Sequence, residues 1–368
     1  MRPSKAAIRA EAARLQAIIG RGAVPVEADI LQPAEALLDL YGEDIRARAY
    51  VAADPVLGER MLRPDFTVPV VQMHMEAGAE PARYTYSGEV FRRQEVYDPA
   101  RPAEFIQVGL ELFDADDPPA RDAEVFCAFH DALAALGLRA AMGDIGLLTA
   151  AVAGLSLSDP RRAALMRHIW RPQRFRALLE RFAGRRPLPP GRAALLARLA
   201  QEPAEALIAE AGPVTGARGP EEIAARLEAL KADAAEPPLP ARELALVDDL
   251  LSVHAAPPDA LAHLRDIAVD LPALEPALDR LEARLEALTA RGVALDAVAF
   301  EASYGRTTLE YYDGFVFGFY AEARPDLPPV ASGGRYDALT RRLGQGRAIP
   351  AVGGVVRPGL VLELGSGP

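Results

Sequence analysis

"EFIQVGLELF", residues 104–113, decides the fold. In a strand, side chains alternate between faces. Ile106, Val108, Leu110 and Leu112 then form one apolar, core-facing side, and Phe105, Gln107, Gly109 and Glu111 share the other. That second face sets an amide and a carboxylate two positions either side of a glycine, which leaves room over the sheet. It is either a wet face, as antiparallel sheets commonly have, or the floor of a pocket.

Working outward, "YSGEVFRRQE" (86–95) is expected to pair antiparallel with this strand through a loop over 95–103, bringing Arg92 to the same sheet. "LRPDFT" (62–67) sets Asp65 and Thr67 just after another strand candidate, where loop-end groups converge on ligands. Asp, Arg, Gln and Glu together suit a zwitterion, the carboxylates for its ammonium and the guanidinium for its carboxylate or phosphate. The pattern predicts an amino-acid pocket.

Around this centre the chain reads as strands, then helices, then strands. A helix is expected over 4–19, with Ser4 as N-cap and Ile8, Ala12, Leu15 and Ile19 along one stripe. Strand candidates fill 24–113, and another helix is expected over 119–137. From 144 to 292 the composition turns to Ala, Leu, Arg and Glu, broken by loops such as "RRPLPPGR" and "AEPPLPAR". Its last helix carries Leu274, Leu278, Leu281, Leu285 and Leu288, a seam that must pack on something. "AVAFEAS", "TTLEYY", "FVFGFYA" and "PPVAS" then restore strands, with Asp313-Gly314 as a hairpin signal. This order predicts an α+β fold with one sheet built from 1–143 and 293–368, interrupted by a helical insertion over 144–292.

Composition narrows the chemistry. The chain has 368 residues, 50% hydrophobic and 25% charged, enough for one large core or two smaller ones. No apolar run approaches the roughly 20 residues of a membrane helix, and the N-terminus is a charged amphipathic helix rather than a signal peptide, so a cytoplasmic protein is expected. The one cysteine, Cys127, excludes internal disulfides and reads as a buried, inert thiol. Five scattered histidines lack HExxH spacing; Lys5 and Lys231 are the only lysines, and neither belongs to a phosphate-cradling loop. No GxSxG elbow is present. The expectation is no metal and no cofactor. A net charge of -11 opposes nucleic acid, except along 161–198, where arginines are dense and Glu180 is the only acid. That stretch is either the wet face of amphipathic helices or an anion or partner surface.

The succession "LRPDFT", "GEVFRRQE", "EFIQVGLELF", "LEYYDGFVF" and "SGGRYDAL" resembles the catalytic domain of histidyl-tRNA synthetases over nearly the whole chain. "FRRQE" through "EFIQVGLE" is similar to the class II motif 2 hairpin, and the last two stretches are similar to the histidine-specific signatures. The resemblance implies a class II aminoacyl-tRNA synthetase-like antiparallel sheet flanked by helices, usually dimeric. It also implies a histidine-like pocket of Asp65, Thr67, Arg92, Gln107, Glu111, Tyr311, Tyr312, Gly333, Gly334 and Tyr336, in which Asp65 meets the amine, the two glycines admit backbone close to the ligand, and Tyr336 is a wall.

Several positions depart from the synthetase pattern. Thr307 stands where an arginine stabilises the reacting carboxylate and phosphate, and Arg306, one residue away in an expected strand, would face the other side. Leu360 stands where the adenine-stacking arginine belongs, with Arg357 three places early; the motif 2 loop keeps Arg101 but has Ala103 for its second arginine. Asp29 replaces the motif 1 proline, and the chain stops at Pro368, before an anticodon-binding domain. Such losses remove the preorganised charge that adenylate chemistry needs.

A synthetase-like pocket without those groups resembles the regulatory subunits of ATP phosphoribosyltransferase. This implies a non-catalytic homodimer within a hetero-oligomer, paired with a short-form catalytic subunit that it activates at the first step of histidine biosynthesis, with histidine as effector. The alternatives are a truncated histidyl-tRNA synthetase-like aminoacyl-adenylate ligase and a tRNA-binding module.

Overall fold

Ser4 opens the first helix as its side chain allows: Oγ accepts from the Ala7 N–H at 3.2 Å, and the helix α1 (Lys5–Ile19) buries Ala12, Leu15 and Ile19. The computed structural model describes residues 3–35, 38, 48–94, 96–98, 101–306 and 311–365. After α1 come β1 (Val24–Pro25), β2 (Leu31–Pro33), β3 (Val51–Asp54) and β4 (Gly58–Leu62), then α2 (Thr67–Ala77), β5 (Ala82–Phe91) and β6 (Glu104–Phe113). Strands β2, β4 and β3 make a small antiparallel sheet. Asp117 and Pro118–Pro119 start α3 (Pro118–Leu133), the Asp117 carboxylate accepting from the Ala120 N–H. Strand β7 (Arg139–Asp144) and α4 (Ile145–Gly154) follow.

The chain divides into two compact units, 1–151 with 249–368, and 152–248. The second unit is helical: α5 (Asp159–Met166), α6 (Pro172–Phe182), α7 (Pro190–Leu199), α8 (Ala204–Glu210), α9 (Pro220–Ala235) and α10 (Ala241–Ser252). Helix α6 buries Phe175, Leu179 and Phe182 on one stripe. Part of the arginine-rich stretch pins this unit from inside. Arg161 is buried and donates to Asp233 and to the Pro237 carbonyl, and Arg192 reaches the same carboxylate at 2.7 Å.

In the first unit the chain continues with β8 (His254–Ala255), α11 (Pro257–Asp270), α12 (Glu275–Ala290), β9 (Val298–Glu301), β10 (Phe315–Tyr320), β11 (Ala331–Arg335), α13 (Asp337–Leu343), β12 (Ala351–Val356) and α14 (Pro358–Gly365). The helical span expected over 144–292 is therefore shared between the units, because α12 packs its leucine seam on α3. The main sheet runs β1-β5-β6-β12-β11-β10-β7-β9-β8. It is antiparallel at its centre, as expected, but β1–β5 and β7–β9 pair in parallel. Helix α3 covers one face, where Phe126 meets Phe317 edge-on at 5.5 Å and Phe129 lies 5.9 Å from the same ring. Cys127 is buried there, its thiol pushed up to about 11 mainly by burial.

Two local expectations are corrected. Residues 302–306 form a turn rather than a strand, so alternation does not apply to Arg306, which is buried. Asp313-Gly314 is not flanked by strand on its N-terminal side at 311–312; the Asp313 carboxylate instead accepts from the Asp337 and Ala338 N–H groups and caps α13. Position 307 lies outside the described residues. Among the described residues, no helix is long and apolar enough to cross a membrane, and no group of three or more His, Cys, Asp or Glu is placed to hold a metal ion.

Helices and sheet are bolted together through Asp122 of α3. Its carboxylate takes Arg284 of α12 at 2.9 Å and Arg335 of β11 at 2.7 Å; Arg284 continues to Asp144 and Arg335 to Asp337. Removing one partner of a buried pair strands the other charge. Asp122→Ala is expected to destabilise the sheet-bearing unit by about 3 to 5 kcal/mol, read as a lower urea midpoint for the transition that exposes Phe126 and Phe317.

Candidate functional site

Antiparallel pairing places Tyr84, Tyr86 and Gly88 of β5 opposite Glu111, Gly109 and Gln107 of β6, and Gly353 of β12 opposite Glu111. Residues directly opposite share a face, so these groups converge on the side away from α3. That face is not wet: Gln107 and Glu111 are fully buried. Glu111 is the centre. Thr67 Oγ1 and Tyr86 Oη each donate to its Oε1 at 2.8 Å, and Tyr336 Oη donates to Oε2. Its partners are three hydroxyls and, among the described residues, no cation. Burial pushes the carboxyl up to about 7; the three hydroxyls oppose the rise, and Asp65 adds to it.

Asp65, Thr67, Tyr311, Tyr312 and Tyr336 are all buried. Tyr311 stands between its neighbours, 4.8 Å from the Tyr312 ring and 6.1 Å from Tyr336. The Tyr312 phenol is raised by burial first and then by Glu111, while Arg92 pulls it down, so Tyr312 feels both charges. Arg92 is half-buried; its Nε donates to the Pro64 carbonyl at 2.9 Å, holding the guanidinium beside the turn that carries Asp65. Both side-chain amide atoms of Gln107 are buried without a protein partner. An orphaned amide of this kind is costly and offers a donor and an acceptor to a ligand.

The two glycines of "SGGRYD" separate. Gly334 pairs with Gly353 and lies on the Glu111 face, where an added Cβ would come within 2.8 Å of the Tyr312 ring. Gly333 faces the other way: an added Cβ would meet the Phe317 ring at 2.5 Å, in the core under α3. Gly333 therefore belongs to packing, because neighbouring strand residues alternate. The space over Gly109 is likewise occupied by a side chain of the protein itself. A Cβ there would lie 2.2 Å from Tyr86, whose ring stacks on Phe66 at a 4.4 Å centroid distance.

Sequence reasoning missed Tyr86 and Gly353. The signal for Tyr86 was its place opposite Gly109, a large side chain against a missing one. Gly353 is required because any Cβ there would overlap the Glu111 carboxylate. Together these groups form a buried acidic cluster, with the Gln107 amide beside it and Arg92 at its edge.

Known proteins share the chain's sequence pattern and its fold. A sequence profile of histidyl-tRNA synthetase matches residues 3–254 and 228–358. The chain is 35% identical over 356 residues to a protein of Brucella anthropi named ATP phosphoribosyltransferase regulatory subunit, covering 90% of this chain and 91% of the relative. A protein of the same name from Brucella canis is 35% identical over 351 residues, covering 90% of this chain and 91% of the relative. Among solved structures, a Bacillus halodurans protein described as ATP phosphoribosyltransferase regulatory subunit/histidyl-tRNA synthetase superposes with a TM-score of 0.66 at 22% identity, covering 98% of this chain and 79% of the other. A histidyl-tRNA synthetase from Nostoc gives a TM-score of 0.61 at 17% identity, covering 98% and 71%. These two show the fold: a class II synthetase-like α+β architecture.

Because its pKa in the folded chain lies above the ordinary glutamate value of 4.5, the Glu111 contribution to stability is complete at low pH and is lost as pH rises through about 7. Asp313, also pushed up to about 7, acts in the same direction. Glu111→Gln isolates the first: between pH 5 and pH 8 it is expected to gain on the parent chain by about 3 kcal/mol, measured by urea denaturation at each pH. Equal pH slopes for the two chains would contradict the buried-acid assignment.

Proposed function

The chain belongs to the family of ATP phosphoribosyltransferase regulatory subunits, built on the histidyl-tRNA synthetase fold, and from that premise we propose that it is itself a non-catalytic, histidine-sensing regulatory subunit. In this reading it assembles in the cytoplasm with a short-form catalytic subunit, activates the first step of histidine biosynthesis, and transmits inhibition by histidine. The observation that carries it is Glu111, buried among Thr67, Tyr86 and Tyr336 and, among the described residues, with no cation as partner. Such a site gains most from a ligand that brings its own positive charge, as histidine does through its ammonium and imidazole. Asp65 is assigned to the ammonium, Gln107 to the unmet hydrogen bonds, Arg92 to the carboxylate, and Tyr311, Tyr312 and Gly334 to the walls. For histidine to regulate, it must prefer one state of the complex, since a ligand that binds both states equally shifts neither.

Leu360 supports the non-catalytic reading: it is buried in α14, where the synthetase pattern has the adenine-stacking arginine. The alternative, an aminoacyl-adenylate ligase, draws on Arg357, whose guanidinium carbon lies 5.2 Å from the Phe105 ring centroid. Pyrophosphate exchange with histidine and ATP decides between them, and the regulatory reading expects no more than the rate without protein. Self-association is supported by apolar side chains left exposed on and beside the small sheet: Ile30, Leu31, Val51, Val56 and Leu57. Light scattering at micromolar concentration is expected to report a dimer or larger.

The sensor assignment is tested in the reconstituted complex. Glu111→Ala is expected to weaken histidine binding by on the order of 3 kcal/mol, the cost of leaving a buried cation unpartnered, and to blunt inhibition while activation of the catalytic subunit persists. Glu111→Gln, which keeps the shape, is expected to behave the same way. Full inhibition by histidine in both variants would place the sensor elsewhere.

A further inference from the structure

The helical unit holds a cation that its own fold does not answer. Arg161 of α5, Arg181 of α6 and Arg192 of α7 lie around Asp233 of α9, and Arg161 and Arg192 each reach its carboxylate at 2.7 Å. Arg161 also pairs with Glu236 at 3.0 Å. Arg181 differs from both. Its Nε is shut off from water with no hydrogen-bond partner, and among the described residues no carboxylate lies within ion-pair distance of its guanidinium. The side chain is held in place by Phe182, whose ring centroid lies 4.9 Å from the Arg181 guanidinium carbon and 5.0 Å from that of Arg161. Burial pushes the Arg181 guanidinium down from its ordinary range; Arg192 adds to the shift, Asp233 opposes it, and Arg161 adds again. Three guanidiniums against two carboxylates leave one half-buried positive charge in excess. Such a group costs stability until an acceptor reaches it.

The size of the excess says what the acceptor is. One carboxylate matches one positive charge, whereas a polyphosphate or a nucleic-acid backbone would set further negative charge against Asp233 and Glu236. A single charge-assisted contact changes an affinity by roughly 10- to 150-fold, short of what holds a free carboxylate at millimolar concentration. The carboxylate therefore has to arrive on a surface that makes other contacts. The chain as a whole carries a net charge of -11, but from Arg161 to Arg198 Glu180 is the only acid, so an acidic surface is repelled least along this stretch.

We propose that Arg181 receives one acidic side chain of a partner protein, and that this partner is the catalytic subunit. The identity of the partner rests on the regulatory reading above; the unanswered charge does not.

Two measurements test it. In the isolated chain, urea denaturation followed by the fluorescence of Trp170, the only tryptophan, compares Arg181→Met with Arg192→Met. Arg181→Met keeps much of the apolar stem and removes the unanswered charge, so its midpoint is expected to equal or exceed that of the parent chain. Arg192→Met deprives Asp233 of a bond and is expected to lower it. In the reconstituted complex, Arg181→Met is expected to weaken assembly by roughly tenfold or more at low salt and to flatten its salt dependence. Arg218→Met, on an exposed side chain already paired with Glu222, is expected to change assembly by less than about threefold. An Arg181→Met midpoint as low as that of Arg192→Met would make Arg181 a structural cation and overturn the proposal, as would Arg181-dependent binding of a short duplex RNA. Assembly that ignores Arg181→Met overturns this proposal alone, whereas failure of the parent chain to assemble overturns the regulatory reading and the partner named here together.

Discussion

Asp122 holds the sheet-bearing unit together. One carboxylate on α3 accepts from Arg284 of α12 and Arg335 of β11, and it is 1% exposed, with Arg284 at 2%. Burying ions is expensive, and the cost is offset only when each charge is matched and hydrogen-bonded. Here the matching runs on through Asp144 at the end of β7 and Asp337 at the start of α13, while the Arg284 guanidinium lies 4.6 Å over the Phe315 ring. Three helices and two strand ends are thus fixed in one register. Position 336 follows directly: Tyr336 comes between Arg335 and Asp337, both tied into the network, so its phenol is aimed back across the sheet at Glu111.

The buried acidic cluster on the opposite face depends on missing side chains. Gly109 makes room for Tyr86, Gly353 for the Glu111 carboxylate, and Gly334 for Tyr312. Each glycine in a strand weakens that strand, and here each admits a polar or aromatic group that closes the site. The outcome is a carboxylate withdrawn from water but satisfied by hydroxyls, so its charge responds to any cation that enters rather than being cancelled by the protein.

Much of this was legible from alternation alone. The two faces of 104–113, the antiparallel partner delivering Arg92, and the Ser4 cap all follow from local periodicity and backbone chemistry, and the structure has them. What alternation does not reveal is occupancy. Gly109 and Gly333 were read as openings for a ligand, yet Tyr86 and Phe317 fill those volumes, because large residues opposite small ones arrive from other strands. Composition also set a boundary at 144 that packing does not respect. Leucine seams look alike whether they face a helical subdomain or a sheet-bearing core, and only the partner, α3, assigns α12 to the latter.

Strand β6 then carries two electrostatic environments on one face. Near its start, Phe105 sits under Arg92 and Arg357; six residues on, Glu111 sits among hydroxyls. At about 3.3 Å per residue the two lie roughly 20 Å apart, farther than surface charges act across salt water, but the space between is lined by buried groups. Gln107 lies there with both amide atoms unmet, and Tyr312 responds to Glu111 and to Arg92 with opposite sign. A ligand bound at either end therefore meets a field whose polarity runs along the strand, positive toward the hairpin loop and negative toward the acidic cluster. In the proposed reading, a zwitterion over Gln107 would turn its ammonium toward Glu111 and Asp65 and its carboxylate toward Arg92. On that reading the strand's own charges would orient the ligand before any shape of its side chain is read.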